Sequence, residues 1–85
     1  MNINFFSIDI FDDNGNAAGA EFLKTWYSWK GVVPNQGDIV KLHWGNDEET
    51  KETEAWKVIM RSISGTTPNT IDIFCSRLTS ETTFI

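Results

Sequence analysis

An 85-residue chain with 40% hydrophobic and 22% charged residues reads as one globular domain, residues 1–85, rather than a disordered segment. Its formal net charge of -5 sets it against phosphate backbones and anionic lipid, which disfavours direct nucleic-acid and membrane binding. A single cysteine, Cys75, excludes an internal disulfide and a thiolate zinc cluster.

Asn4 to Phe11 is rich in Phe and Ile and reads as a strand, with Phe6, Ile8 and Ile10 on one face against Ser7 and Asp9. The adjacent Phe5 and Phe6 break that phase, which predicts a bulge or a strand covered on both faces. The opening residues mix Asn, Ser and Asp with apolar side chains and have no basic n-region, so they are not read as a signal peptide. No apolar run reaches the length of a membrane span, and the expected compartment is the cytoplasm, with a reduced thiol.

Asp12-Asp13-Asn14-Gly15-Asn16 is a turn, because Asn and Gly tolerate positive φ between apolar runs. Asp12, Asn14 and Asn16 also have the i, i+2, i+4 spacing of a calcium loop's first ligands. Ala17 stands where such a loop needs glycine, however, and Leu23 where it needs glutamate, and a turn explains the same residues without metal.

Ala17 to Lys30 has two readings. As a strand it places Phe22 and Trp26 on one face and Leu23, Tyr27 and Trp29 on the other. As a helix it aligns Phe22, Trp26 and Trp29 at i, i+4 and i+7, with Gly31 as the C-terminal stop. Gly19 and the Thr25-Trp26-Tyr27 cluster favour the strand. Gly31 to Gly37, with Pro34 and Asn35, is a loop.

Asp38 to Trp44 alternates cleanly, with Val40, Leu42 and Trp44 against Lys41 and His43. An acidic loop, Gly45 to Thr53, follows. From Asn46 to Glu54, the acids Asp47, Glu48, Glu49, Glu52 and Glu54 stand against Lys51 alone, which leaves seven acids and six bases elsewhere. Ala55 to Ile63 puts Trp56, Val58 and Met60 against Lys57, Ile59 and Arg61. After a turn region from Ser64 to Asn69, Thr70 to Leu78 puts Ile71, Ile73 and Cys75 against Asp72, Phe74 and Ser76. Thr79 to Thr83 is polar, with Phe84 and Ile85 available to dock at the end.

Five short strands with turn-rich spacers specify an all-β fold, a small five-stranded barrel or a two-layer sandwich; a helix at about 17–30 would make it α+β. The stretch Val33-Pro34-Asn35-Gln36-Gly37-Asp38-Ile39-Val40-Lys41-Leu42, then Trp56-Lys57-Val58 and Arg61, resembles the SH3-like small β-barrel domains of short bacterial and phage proteins. In those, a Pro-x-x-Gly-Asp run leads into a strand and a hairpin carries a central Trp. The resemblance spans about a third of the chain and implies a fold class but no activity.

Catalytic groupings are sparse. Nucleophilic catalysis needs a nucleophile and a base in reach, and the candidates are Cys75 in an apolar strand and His43 on an outer face. The six glycines are dispersed and form no phosphate cradle. The acidic loop is a solvated tip or an electrostatic handle for a basic partner. Aromatics are a heavy load for so small a core: four Trp, six Phe and one Tyr either replace a larger aliphatic core or leave some rings facing outward.

The expected function is therefore a non-enzymatic protein-interaction module, in one form a phage or mobile-element inhibitor of a host protein. Trp26, Tyr27, Trp29, Glu48, Glu49 and Glu52 are its candidate partner-binding residues. The partner is a protein with a basic surface, or a second copy paired through an open strand edge. The alternative is carbohydrate or small-ligand binding through Trp26, Tyr27 and Trp29, oriented by Lys24 and Lys30. No cofactor or metal is required, and an enzyme ranks last.

Overall fold

The computed structural model describes residues 1–44, 52–63 and 67–78. Five strands are formed: β1 (Asn2–Ser7), β2 (Glu21–Trp26), β3 (Ile39–Trp44), β4 (Glu52–Ile63) and β5 (Thr70–Arg77). They make one sheet in the order β2-β1-β5-β4-β3, curled into a half-barrel. The fold is all-β, as the alternating strands predict. Residues 17–30 carry β2 and no helix, and the single curled sheet replaces the two-layer alternative.

Neighbouring strands are antiparallel except β1 and β5, which run parallel with Ile3 beside Ile71 and Phe5 beside Ile73. β5 thus lies between β1 and β4 and is the strand through which the β1–β2 and β3–β4 pairs are hydrogen-bonded into one sheet.

The concave face holds the core. Ile3, Phe5, Leu42, Val58, Ile73 and Cys75 are fully buried there, joined by Val40, Trp56 and Ile71. Leu23, Trp26, Trp29 and Val33 pack against this cluster. Trp56 is seated deep, and its indole N–H meets no acceptor among the described residues, an arrangement that costs about 1–3 kcal/mol.

In β1 the core phase is Ile3, Phe5 and Ser7, not Phe6, Ile8 and Ile10. Ser7 can end the inner row because its hydroxyl accepts from the Asp9 amide at 3.1 Å. The irregularity expected at Phe5 and Phe6 falls on the partner strand: Phe5 faces Lys24, Phe6 faces Phe22, and Leu23 is the extra residue. This bulge separates Phe22 from Trp26. Phe22 goes to the outer face, beside Phe6 at 5.7 Å between ring centroids, while Trp26 goes inside against Phe5 at 4.6 Å. A second bulge at Ile59 does the same in β4. Val58 stays inside opposite Cys75, but Met60 emerges on the outer face opposite Phe74 and is 53% exposed.

The turn at 12–16 is closed by Asp12. Its carboxylate accepts from the amides of Asn14 and Asn16, both at 2.9 Å, and Gly15 sits at φ +81°. Glu48 and Glu49, Ser64 to Thr66, and the tail from Thr79 with Phe84 and Ile85 lie outside the described residues.

Candidate functional site: an aromatic cleft at the open seam

A half-barrel leaves a seam, here between the outer edges of β2 and β3. Alternation along β3 determines which backbone groups face it. The Val58 amide donates to the Asp38 carbonyl at 2.8 Å, so residues 38, 40, 42 and 44 address β4. Ile39, Lys41 and His43 therefore turn their amides and carbonyls toward the seam. The Lys24 ammonium of β2 confirms this direction, since it reaches across and donates to the His43 carbonyl.

Residues 27–38 fold over the mouth of the seam. β2 stops at Trp26 because Ser28 adopts a left-handed conformation, φ 50°, with its amide donating to Asn2 Oδ1 at 3.0 Å. The chain turns back, and the Trp29 amide donates to the Met1 carbonyl. Trp29 then lies on Trp26, with ring centroids 4.4 Å apart. Its Nε1–H donates to the Val32 carbonyl at 3.0 Å. Gly31 is required beneath it, because a Cβ there would stand 2.6 Å from Cζ2 of the indole.

This corrects the strand-phase reading in which Trp26 and Trp29 face opposite sides. The turn at Ser28 ends the alternation and brings both indoles to one place. They form a wall of a cleft of about 370 Å³ whose other residues include Val32, Pro34, Ile39 and Lys41. Pro34 is buried and Ile39 is half exposed. The cleft thus pairs a stacked indole wall with a strand edge whose Ile39 and Lys41 backbone groups face the seam.

The sequence-predicted patch is split. Tyr27 does not join the two indoles: it is 77% exposed and lines a separate hollow on the outer face, with Asn4, Phe6, Thr25 and Asp72. Lys24 is engaged at the seam, and Lys30 lines neither hollow. Of the acidic trio, Glu52 is a strand residue opposite Trp44, at the far end of β3; Glu48 and Glu49 lie outside the described residues. Sequence reading missed Val32, Pro34, Ile39 and Lys41 as cleft residues. The available signal was the position of Pro34 and Ile39 on either side of the turn into an edge strand.

His43 and Cys75 are not brought together. His43 stands on the outer side of β3, its Nδ1 2.9 Å from Thr53 Oγ1. Cys75 points inward from β5, with β4 between the two strands. Burial, and then the Asp9 carboxylate, push the Cys75 thiol up to about 12, so at neutral pH it is a protonated packing group. Among the described residues no three His, Cys, Asp or Glu side chains converge as a metal site, and no helix is long and apolar enough to cross a membrane. Comparison with protein families, with curated proteins and with solved structures returned no match.

Proposed function

We propose that this chain is a non-enzymatic protein-interaction module that takes an extended segment of a partner protein along the free edge of β3. The supporting observation is the coincidence of two features in one cleft. Ile39, Lys41 and His43 turn backbone donors and acceptors into the seam, and the Trp26–Trp29 pair walls it. Strand addition uses such an edge for affinity and adjacent side-chain pockets for specificity. Indoles are favoured anchors because they bury large area with little rotamer entropy.

The resemblance to SH3-like barrels belongs to the same reading, since its residues 33–42 supply Pro34 and the β3 edge to the cleft. The acids that follow β3 in the chain, Glu48, Glu49 and Glu52 among them, favour a partner segment with basic residues beside its apolar anchor. An inhibitor carried by a phage or mobile element, seated on a host protein's basic surface, is the specific form this takes.

The decisive variant is Lys41→Pro. The Lys41 amide faces the seam and serves no bond to β4, so proline removes a docking donor from an edge position where the fold tolerates it. Peptides selected from a random library on the whole chain should shift the Lys41 and His43 amides and the Trp26 and Trp29 indole signals. Lys41→Pro should abolish their binding while the melting curve holds. Neutralising Glu48, Glu49 and Glu52 together should slow association and flatten its salt dependence. Selected peptides that leave those signals unmoved, or that bind Lys41→Pro equally well, would overturn the reading. Pairing of two copies through β3, seen as a concentration-dependent dimer that Lys41→Pro abolishes, would replace it.

A further inference from the structure

We infer that the outer face of the sheet carries a second, independent site, built for a neutral saccharide ring, in the hollow across β2, β1 and β5. It shares no lining residue with the seam cleft and does not rest on the strand-addition reading. The hollow measures about 280 Å³, which falls at the small end of ligand sites.

Its floor is a row of three polar side chains, one from each strand. Thr25 Oγ1 donates to Asn4 Oδ1 at 2.6 Å, and Asn4 Nδ2 donates to Asp72 Oδ1 at 3.1 Å. The register dictates this row, since Asn4 sits opposite Thr25 in one ladder and beside Asp72 in the other. These bonds fix the three rotamers in advance, and each group keeps capacity for a ligand. Asp72 has a second carboxylate oxygen to accept, Asn4 a second amide hydrogen to donate, and the Thr25 oxygen lone pairs to accept. Two aromatic side chains stand on the rim. Phe6 is half-buried, and Tyr27 projects from the turn after β2.

This chemistry selects its ligand class. Among the described residues no Lys, Arg or His lines the hollow, so none of them neutralises a phosphate or carboxylate there. An ammonium ion brings donors only and would satisfy Asp72 while leaving the Asn4 amide hydrogen without an acceptor. A sugar ring carries adjacent hydroxyls that donate to Asp72 and accept from Asn4 at once. Its C–H face covers the aromatic rim. Acceptor, donor and acceptor spaced along one row match a ring of vicinal hydroxyls.

The test is an amide NMR titration of the whole chain with neutral monosaccharides (glucose, galactose, mannose and N-acetylglucosamine), with lysine, choline and adenine run beside them. At least one sugar should give saturable millimolar shifts at Asn4, Thr25, Tyr27 and Asp72, including the Asn4 side-chain amide. Tyr27→Ala and Asp72→Asn should each weaken that binding about tenfold. Their spectra and melting curves report whether the fold persists. Thr25→Val, which removes one hydroxyl without changing side-chain shape, serves as the milder variant and should also weaken binding. The proposal is overturned if no neutral sugar gives saturable shifts, if only choline, lysine or adenine does, or if sugar shifts map to Trp26 and Trp29. Failure here leaves the Lys41→Pro peptide result untouched, and the reverse holds equally.

Discussion

Replacing Gly31 with alanine should unseat Trp29. The new Cβ would lie 2.6 Å from Cζ2, 2.9 Å from Cε2 and 3.3 Å from Cη2 of the indole. Carbon atoms rest at about 3.5–4.0 Å, so the ring or the backbone must retreat by roughly 1 Å. An unrestrained side chain would swing aside at little cost. Trp29 is restrained on three sides: its amide is held by the Met1 carbonyl, its Nε1–H by the Val32 carbonyl, and its ring by Trp26. Overpacking of this kind costs about 1–3 kcal/mol. In a domain of this size each kcal/mol lowers Tm by roughly 4–8 °C. Thermal melts followed by near-ultraviolet circular dichroism measure both the loss of stability and the altered indole pair. The same alanine placed in a Trp29→Phe background should cost markedly less, because the shorter ring withdraws the clashing benzo carbons. An unchanged Tm and spectrum for Gly31→Ala, or an equal cost in both backgrounds, would refute the account of why residue 31 is glycine.

Three further outcomes follow from the geometry. The Cys75 thiol is raised from 9.0 to about 12 in the folded state, so between those values the unfolded chain binds fewer protons than the native one. Stability should therefore fall as pH rises through that window, by up to about 1.4 kcal/mol per pH unit; Cys75→Ala should remove that component of the alkaline slope, and native Cys75 should resist alkylation until unfolding. Asp9 accepts from Ser76 Oγ at 2.6 Å and from the Arg77 amide at 2.8 Å. Asp9→Ala should cost about 2 kcal/mol in urea unfolding and speed hydrogen exchange at the Arg77 amide. Ser28→Gly should raise the free energy of unfolding, measured by denaturant titration, by about 0.5 kcal/mol, as relief of the left-handed φ outweighs added freedom in the unfolded chain, whereas Ser28→Ala should give no gain.

Where strands alternate without interruption, the sequence was sufficient. Val40 and Leu42 against Lys41 and His43, and Ile71, Ile73 and Cys75 against Asp72 and Phe74, take the faces their period assigns. The misreadings cluster at breaks in period. Leu23 and Ile59 are bulges, and each sends the residue that seemed to continue an inner row, or to share its face, to the other side of the sheet. Neither is marked by glycine or proline, so residue type alone gives no warning. The turn at Ser28 is equally silent, because serine is an unusual occupant of left-handed backbone. The candidate site depends on that turn, which explains why Trp26 and Trp29 were legible as important while their shared position was not. The Thr25-Asn4-Asp72 row was invisible for another reason: it spans |i−j| of 21 and 68, and it is assembled by the antiparallel register of β1 with β2 together with the parallel register of β1 with β5.

The place of β5 between β1 and β4 has a consequence for how the domain comes into being. Before residues 70–77 leave the ribosome, the chain can offer only two separate ribbons, β1 with β2 and β3 with β4. Two-stranded ribbons are marginal in water, and without β5 no ladder of hydrogen bonds holds the two against each other. β5 acts as a keystone, and the whole sheet gains cooperativity in one late step that closes Asn2 onto Thr70. Until then Phe5, Val58 and the indole pair are exposed to solvent. Completion of the sheet thus waits for β5 by topology, and a truncation that removes β5 should yield sticky, unpaired ribbons rather than a weakened domain.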